Sequence, residues 1–208
     1  MNSFTGKGDN GTTSWGCNQR ISKSSAVAEA LGSLDEINSF LGLCKVQSAY
    51  LDFKLRETSL SEIVHDMQKN LFIIQAELAG TDKTIEEKKV KELEGIIDQI
   101  EKELPPIKSF FISGGPADLT KWQQSGAGLG AIFDIARTIA RRAERRVIAV
   151  SEEIQQLPLL AEDRETKNKK EIGRYTKSYM NRLSSALYAL ARYSNHKVGI
   201  MEEAPDYR

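Results

Sequence analysis

Apolar residues recur every three or four positions along most of the chain, and this spacing constrains the fold more than any other feature. The most regular stretch lies between residues 129 and 150, where the apolar positions share one face of a helix. The same spacing predicts helices over residues 24–48, 59–79, 85–104, 129–153 and 169–197. No long alternating strand pattern and no internal repeat is present. The sequence therefore predicts an all-α protein, a bundle of about five helices.

Three segments interrupt the helical pattern. Residues 1–22 are rich in Gly, Thr, Ser and Asn, which predicts a loop or a short irregular arm. Residues 105–128 contain several glycines and prolines and predict a long loop, a feature that is often functional in compact domains. Residues 162–170 form a polar link of mixed charge. We expect a single domain over 1–208, with an arm at 1–23, a bundle at 24–197 and a tail at 198–208.

Composition excludes several classes of protein. The 208 residues carry 29 Lys and Arg against 29 Asp and Glu, which argues against a protein that coats nucleic acid. Cys17 and Cys44 are too few for a disulfide scaffold or a four-cysteine zinc site. No apolar run is long enough to span a membrane, and the first 20 residues lack a secretory or transit pattern. We expect a cytoplasmic protein, or one of the mitochondrial matrix if a presequence was removed.

Two familiar motifs are present, but the sequence around each excludes the function that the motif usually indicates. Residues 6–11 spell G-x-G-x-x-G, but a dinucleotide-binding loop needs a preceding strand, and six residues leave no room for one. Glu62 and His65 form E-x-x-H, the signature of di-iron bundles, which requires a second such pair. The only other histidine, His196, has a tyrosine three positions before it. A lone histidine on a helix surface is the better interpretation of His65.

One run of residues is suited to binding an anion. Residues 137–146 hold five arginines and one glutamate, and Arg137, Arg141 and Glu144 share a stripe that borders the apolar face of the predicted helix. Guanidinium groups held by a rigid helix suit polyphosphate, because they bind phosphate oxygens in pairs and stay charged. Charged runs are also common on solvated, salt-bridged helix faces, so spacing alone leaves both interpretations open.

The predicted arm supplies a second candidate for anion binding. Residues 8–13 offer backbone N–H groups and hydroxyls, with Lys7, Arg20 and Lys23 close in sequence. Such a segment can wrap phosphate oxygens as a backbone nest. The alternative is a disordered N-terminus, which is common for polar chain ends.

Several segments, in this order, resemble those of one family. They are GDNGTT at 8–13, RISK at 20–23, GSLDEINS at 32–39, FFISGG at 110–115, ARTIARRAERRV at 136–147, YMNRLS at 179–184 and LARY at 190–193. Together they resemble the PduO-type cob(I)alamin adenosyltransferases, and the resemblance extends from about residue 4 to residue 197.

The resemblance implies a fold, an assembly and a reaction. It implies a five-helix bundle that assembles as a homotrimer with active sites between subunits. It also implies transfer of the 5′-deoxyadenosyl group of ATP to the cobalt of cob(I)alamin, with Mg²⁺ present and triphosphate released. Because cobalt is the nucleophile, the reaction requires no catalytic Ser, Cys or His. The alternative is a catalytically weakened relative that carries ATP or cobalamin to another protein. Expected partners are a cobalamin-dependent mutase or dehydratase and a reductase.

The resemblance also implies roles for individual residues. Lys23 would approach the phosphates, and Arg141 and Glu144 would contact triphosphate, Mg²⁺ or ribose. Asp35 and Arg137 match a pair that forms a salt bridge between subunits. Asn181 would contact the nucleotide, and Phe110 would help to displace the lower axial ligand of the corrin. The residues of the arm that would wrap ATP are Thr5, Gly8, Asp9, Gly11 and Thr12.

The chain departs from the family pattern at a few positions. Ser113 stands where the family usually has Pro, Asp134 where His is common, and Ser185 where Asp usually follows the Asn-Arg-Leu-Ser motif. The basic residue of the arm is displaced by one position to Lys7. The segment between residues 115 and 137 is also longer than is typical. None of these departures removes Arg141, Glu144 or Asn181.

Overall fold

The computed structural model describes residues 4–16, 19–109, 111–115, 128–160 and 171–207. Within these residues the chain is mostly helical, which confirms the predicted all-α bundle. The helices described are α1 Ala26–Leu51, α2 Leu60–Leu78, α3 Glu87–Glu103, α4 Gly128–Leu160 and α5 Arg174–Lys197. Phe110 and the predicted link at 162–170 lie outside the described residues.

The helices pack around one apolar core. Helix α4 packs against α1 and α5, α1 also packs against α2, and α5 also packs against α3. The positions predicted to face inward are buried or half-buried, and on α5 the buried set includes the large side chain of Tyr179. This arrangement makes α4 and α5 the central pair, so that residues on their outer faces can form sites with neighbouring elements.

Helix α2 begins with a capping box that also explains the E-x-x-H motif. The Ser59 side chain accepts a hydrogen bond from the N–H of Glu62 at 3.1 Å, and the Glu62 carboxylate accepts one from the N–H of Ser59 at 2.9 Å. The hydrogen bond from the Ser59 backbone holds the pKa of Glu62 below its usual value. His65 is exposed, as predicted for a lone surface histidine.

Helix α5 begins later than its periodicity predicts. It starts at Arg174 instead of near residue 169, and residues 171–173 have no regular structure. The buried carboxylate of Glu77 on α2 accepts hydrogen bonds from the N–H of Gly173, at 2.8 Å, and from the hydroxyl of Thr176. The Glu77 carboxylate therefore satisfies the backbone donor of Gly173, the residue at which the chain enters α5.

Two short antiparallel hairpins interrupt the helical chain. Strand β1 Thr12–Trp15 pairs with β2 Gln19–Ser22, and β3 Lys54–Leu55 pairs with β4 Thr58–Ser59. The prediction of an irregular arm was therefore wrong for residues 12–15 and 19–22, because strands of four residues are too short to show alternation in the sequence. The indole N–H of Trp15 donates to the carbonyl of Leu78 at 2.8 Å, which attaches the hairpin to the end of α2.

No helix in the described part of the chain combines the length and the hydropathy needed to cross a membrane.

Candidate functional site

Four of the five arginines of α4 fall into two groups according to their partners. Arg142 pairs with Glu36 of α1, and Arg146 pairs with Glu29 of α1 at 3.3 Å. These two contacts form the salt-bridged helix face that the sequence left open as an alternative. The alternative is therefore correct for one side of the helix only.

Arg141 and Arg145 lie on the other side of α4 and have no acidic partner within the described ranges. Both line a groove of about 340 Å³ between α4 and α5, together with Glu144 and Asn181. Unpaired guanidinium groups on a rigid helix are available to an anionic ligand. This groove is the first part of the candidate site.

Asn181 is held in place inside the groove. Its amide nitrogen donates to the carboxylate of Glu144 at 3.1 Å, and its amide oxygen accepts from Arg182 at 2.6 Å. Arg182 in turn pairs with Glu94 of α3 at 3.1 Å. The side chain of Asn181 is exposed, as predicted from its position opposite the buried face of α5. The structure thus brings Arg141, Glu144 and Asn181 together in one groove, and their contacts with a nucleotide stay a prediction.

A larger cavity of about 670 Å³ lies among α3, α4, α5 and the segment that follows α3. Its lining is mainly apolar and includes Phe111 and Tyr188. Four cationic side chains and two carboxylates also line it, namely Lys108, Arg137, Arg141 and Arg192, and Glu101 and Asp134. Burial raises the pKa of Tyr188, which keeps its phenol neutral. The cavity suits a large ligand with both apolar and anionic parts. Arg141 lines this cavity and also the polar groove, so the two spaces share one lining residue.

Arg137 has a partner within its own chain. Its Nε lies 3.0 Å from the carboxylate of Asp134, which also accepts a hydrogen bond from the hydroxyl of Ser113 at 2.6 Å. Asp35 on α1 is exposed and forms no ion pair within the described residues. The pairing of Asp35 with Arg137 between subunits stays a prediction.

The N-terminal arm is organised by Arg20. Its Nη2 donates to the carbonyl of Lys7 at 2.6 Å, and its Nε donates to the hydroxyl of Thr12 at 3.0 Å. Gly8 lies directly under Lys23, because a Cβ added at Gly8 would be 3.1 Å from Nζ. Gly11 has φ +79°, a conformation that favours glycine. The arm is therefore an ordered loop closed by a hairpin, with Lys23 over it.

The expected nest of free N–H groups is only partly present. The N–H groups of Asp9 and Gly11 donate to carbonyls within the loop at 3.2 Å, and that of Thr12 donates to the side chain of Asn10 at 3.3 Å. The N–H of Gly8 has no acceptor within the described residues. The side chains of Thr5 and Asp9 are exposed beside it. Anion binding by the arm would thus depend mainly on Lys23 and a few amides.

The arm and the groove lie on different elements of the chain. The described hydrogen bonds of the arm to the bundle go to the end of α2, and none goes to α4 or α5. The arm and the α4–α5 groove are therefore two candidate anion-binding elements that share no hydrogen bond in the described residues.

Sequence reasoning did not single out two arginines that line the groove and the cavity. Arg145 follows Arg141 by four residues, and that helical spacing could have identified it. Arg192 lines the cavity and contacts Glu202 and the carbonyl of Pro105, the latter 87 positions away in sequence. No local pattern could have revealed that distant contact.

Comparisons with known proteins match almost the whole chain. The sequence model of the family described as cobalamin adenosyltransferase matches residues 3–194. A corrinoid adenosyltransferase of Citrobacter freundii is 34% identical over 210 residues, which cover 98% of this chain and 96% of the relative. The corrinoid adenosyltransferase PduO of the same species is 32% identical over 200 residues, with 93% of this chain covered. The chain spans only about half the length of that PduO protein, 50%.

A solved structure shares the fold. It is a point variant of the PduO-type ATP:corrinoid adenosyltransferase from Lactobacillus reuteri, complexed with cobalamin and ATP. The TM-score is 0.76 at 24% identity, with 99% of this chain and 97% of that chain covered. The family match, the full-length relative and the common fold lead to one conclusion: this chain belongs to the cobalamin adenosyltransferase family.

Proposed function

We propose that this protein transfers the 5′-deoxyadenosyl group of ATP to the cobalt of cob(I)alamin. The observation that carries the proposal is the position of Arg141, which has no acidic partner in the described residues and lines both a polar groove and a large, mainly apolar cavity. The groove has the charge to hold a triphosphate, and the cavity has the size and lining for part of a corrinoid. Relatives that carry the name corrinoid adenosyltransferase support the same assignment.

The reaction requires the protein to orient the two substrates and to supply positive charge, and it requires no nucleophilic side chain. The electron pair of cobalt(I) attacks the C5′ carbon of ATP, the cobalt–carbon bond forms, and the C5′–oxygen bond breaks. Triphosphate leaves with the electron pair of the broken C5′–oxygen bond, and cobalt becomes cobalt(III). Negative charge develops on the leaving oxygen, so a fixed cation beside it lowers the barrier.

The groove supplies that cation. We assign Arg141 to the triphosphate and add Arg145 as a second phosphate ligand on the same face of α4. Asn181, fixed by Glu144, is assigned to the nucleoside part of ATP.

Magnesium fits this groove through carboxylates and phosphates. No group of three or more metal-binding side chains occurs among the described residues. Mg²⁺ is commonly bound by one or two carboxylates together with substrate phosphates. Glu144 and Glu152 are the carboxylates that line the groove, and either could complete such a site. When bound, the ion would neutralise phosphate charge.

We propose that two subunits complete each site. Thr5, Gly8, Asp9, Gly11, Thr12 and Lys23 would wrap the ATP phosphates, but within one chain the arm has no hydrogen bond to the groove in the described residues. A homotrimer in which the arm of one copy reaches the groove of the next resolves this separation. In the same assembly Asp35 would pair with Arg137 of a neighbour, whose Nη groups form no described ion pair.

We propose the larger cavity as the place where the corrinoid binds. Phe111 and Tyr188 offer aromatic surface there, and Phe110 is the adjacent residue that would displace the lower axial ligand of the corrin. Removal of that ligand favours reduction to cobalt(I), so an apolar wall at this place serves the reaction directly.

The test of the activity mixes the protein with ATP, Mg²⁺ and chemically reduced cob(I)alamin. The expected result is the absorption spectrum of adenosylcobalamin and one triphosphate per corrinoid. ATP binding without product would reject the enzyme and favour a carrier of ATP or cobalamin.

The test of the shared site mixes two inactive variants, Lys23→Ala and Arg141→Ala, after unfolding and refolding together. If arm and groove come from different copies, about a quarter of the sites in a random mixture are fully wild type. Activity should therefore return to about a quarter of the wild-type value. The control mixes wild type with the double variant, and light scattering checks the trimer. No recovery in the first mixture would place each site within one chain.

A further inference from the structure

Arg192 on α5 lines the large cavity and is buried, with only 5% of its surface exposed. A buried guanidinium destabilises a protein unless its charge is paired and its N–H groups donate. Nε of Arg192 lies 2.9 and 3.1 Å from the two carboxylate oxygens of Glu202, and Nη2 donates to the carbonyl of Pro105 at 3.0 Å. The guanidinium also lies 5.4 Å from the ring centre of Phe111. One side chain thus joins α5, the segment after α3 and the C-terminal segment.

The C-terminal segment runs beside the residues that follow α3. The N–H of Ile112 donates to the carbonyl of Glu203 at 2.8 Å. Gly115 faces Ile200 so closely that an added Cβ would lie 2.6 Å from its Cγ2. The N–H of Ile200 in turn donates to the carbonyl of Asn195 at 2.9 Å, which ties the segment to the end of α5. The C-terminal strap, residues 200–203, is therefore attached at both ends.

One wall of the cavity is formed by the segment that follows α3, and this segment has little regular secondary structure or internal hydrogen bonding. Residues 105–109 and 111–115 form neither helix nor strand, and their one described backbone hydrogen bond to each other is Gly115 to Ile112. Ile107, Lys108 and Phe111 of this segment nevertheless line the cavity. Segments without an internal hydrogen-bond ladder open locally unless other elements hold them. Here the holding contacts come from Arg192, from the strap and from Asp134 of α4, which accepts a hydrogen bond from the hydroxyl of Ser113.

We propose that Arg192 and Glu202 are positioning residues, and that through them the C-terminal strap holds this wall in the conformation that receives the corrinoid. The proposal rests on the proposed function for the identity of the ligand. Neither side chain is assigned a contact with ATP. If the ion pair between Arg192 and Glu202 is broken, the wall adopts this conformation in a smaller fraction of molecules. The apparent affinity for the corrinoid then falls by that fraction, while the affinity for ATP stays unchanged.

The test compares Glu202→Gln with Glu203→Gln. Both changes remove one carboxylate from neighbouring positions of the strap. Glu203 contributes through its backbone carbonyl and its side chain is exposed, so Glu203→Gln should behave as wild type. For Glu202→Gln we expect the KM for cob(I)alamin to rise about tenfold with the KM for ATP unchanged. Glu202→Asp, which keeps the charge, should recover part of the loss.

Hydrogen exchange tests the strap independently of turnover. The amide of Ile112 should exchange about tenfold faster in Glu202→Gln than in wild type, and amides in the middle of α4 should not change. Unchanged exchange at Ile112 would refute the strap. Faster exchange with an unchanged corrinoid KM, or equal rises in both KM values, would refute its role in positioning. If the wild type shows no adenosyl transfer, the proposed function fails, and the exchange measurement still decides whether Glu202 holds the wall.

Discussion

Replacement of Arg141 by alanine tests the central assignment most directly. Arg141 lines both the groove and the cavity, and no acidic side chain in the described residues pairs with it. Its charge is therefore available to the ligand and contributes little to the fold. We expect Arg141→Ala to lower activity strongly and to change the free energy of unfolding by no more than about 0.5 kcal/mol.

The expected loss of activity follows from the contact that is removed. A fixed donor to charge that develops in the transition state contributes about 2–4 kcal/mol to the barrier. At 1.36 kcal/mol for each factor of ten, kcat/KM for ATP should fall about 30- to 900-fold. A loss in kcat would indicate a contact made in the transition state, whereas a rise in KM alone would indicate uniform binding of the phosphates.

Arg146→Ala is the matched control, because it removes the same side chain from the same helix. Arg146 pairs with Glu29 at 3.3 Å, and both side chains are about half exposed, 50% and 51%. Its removal should cost about 0.2–1 kcal/mol of stability and leave kcat/KM within about threefold of wild type. The assay is formation of adenosylcobalamin at several ATP concentrations, with urea unfolding of each variant. A wild-type rate for Arg141→Ala, or equal losses in both variants, would refute the reasoning.

Four further predictions concern the fold. Glu77→Gln weakens the carboxylate cap at the start of α5 and should lower the free energy of unfolding by about 1–3 kcal/mol, measured in urea. Burial raises the pKa of the Cys44 thiol to about 12, so a thiol reagent at pH 8 should leave the Cys44 peptide unmodified until the protein unfolds. Gly130→Ala would place a Cβ 2.0 Å from Oδ1 of Asn195 and should destabilise by about 1–3 kcal/mol. Gly95→Ala, which meets nothing within 4 Å, should stabilise α3 by about 0.5–1 kcal/mol in the same unfolding assay.

The helices and their buried faces were predictable because each helix carries its own signal in the sequence. Spacing alone identifies Leu34, Ile37 and Leu71 as core positions, and the structure buries all three completely. The starts of the helices were less predictable. Helix α5 begins where Glu77, nearly a hundred residues earlier in the chain, accepts from the N–H of Gly173. Such a long-range partner leaves no trace in local sequence.

The candidate site was likewise predictable only in part. The grouping of Arg141, Glu144 and Asn181 was predictable, because two of the three lie on one helix stripe and the third matches a family motif. Which arginines of α4 are free was not predictable from spacing. That property depends on Glu29 and Glu36, which α1 places against one side of α4 only.

Two departures from the family pattern are related physically, although the sequence shows them as separate changes. Ser113 and Asp134 lie 21 positions apart, and the structure joins them by a hydrogen bond of 2.6 Å. A proline at 113 has no hydroxyl to donate, so Asp134 would lose that donor. A histidine at 134 could not form the 3.0 Å ion pair with Arg137. The two residues together therefore attach the segment at 111–115 to α4 and engage Nε of Arg137, while its Nη groups stay available to a second carboxylate.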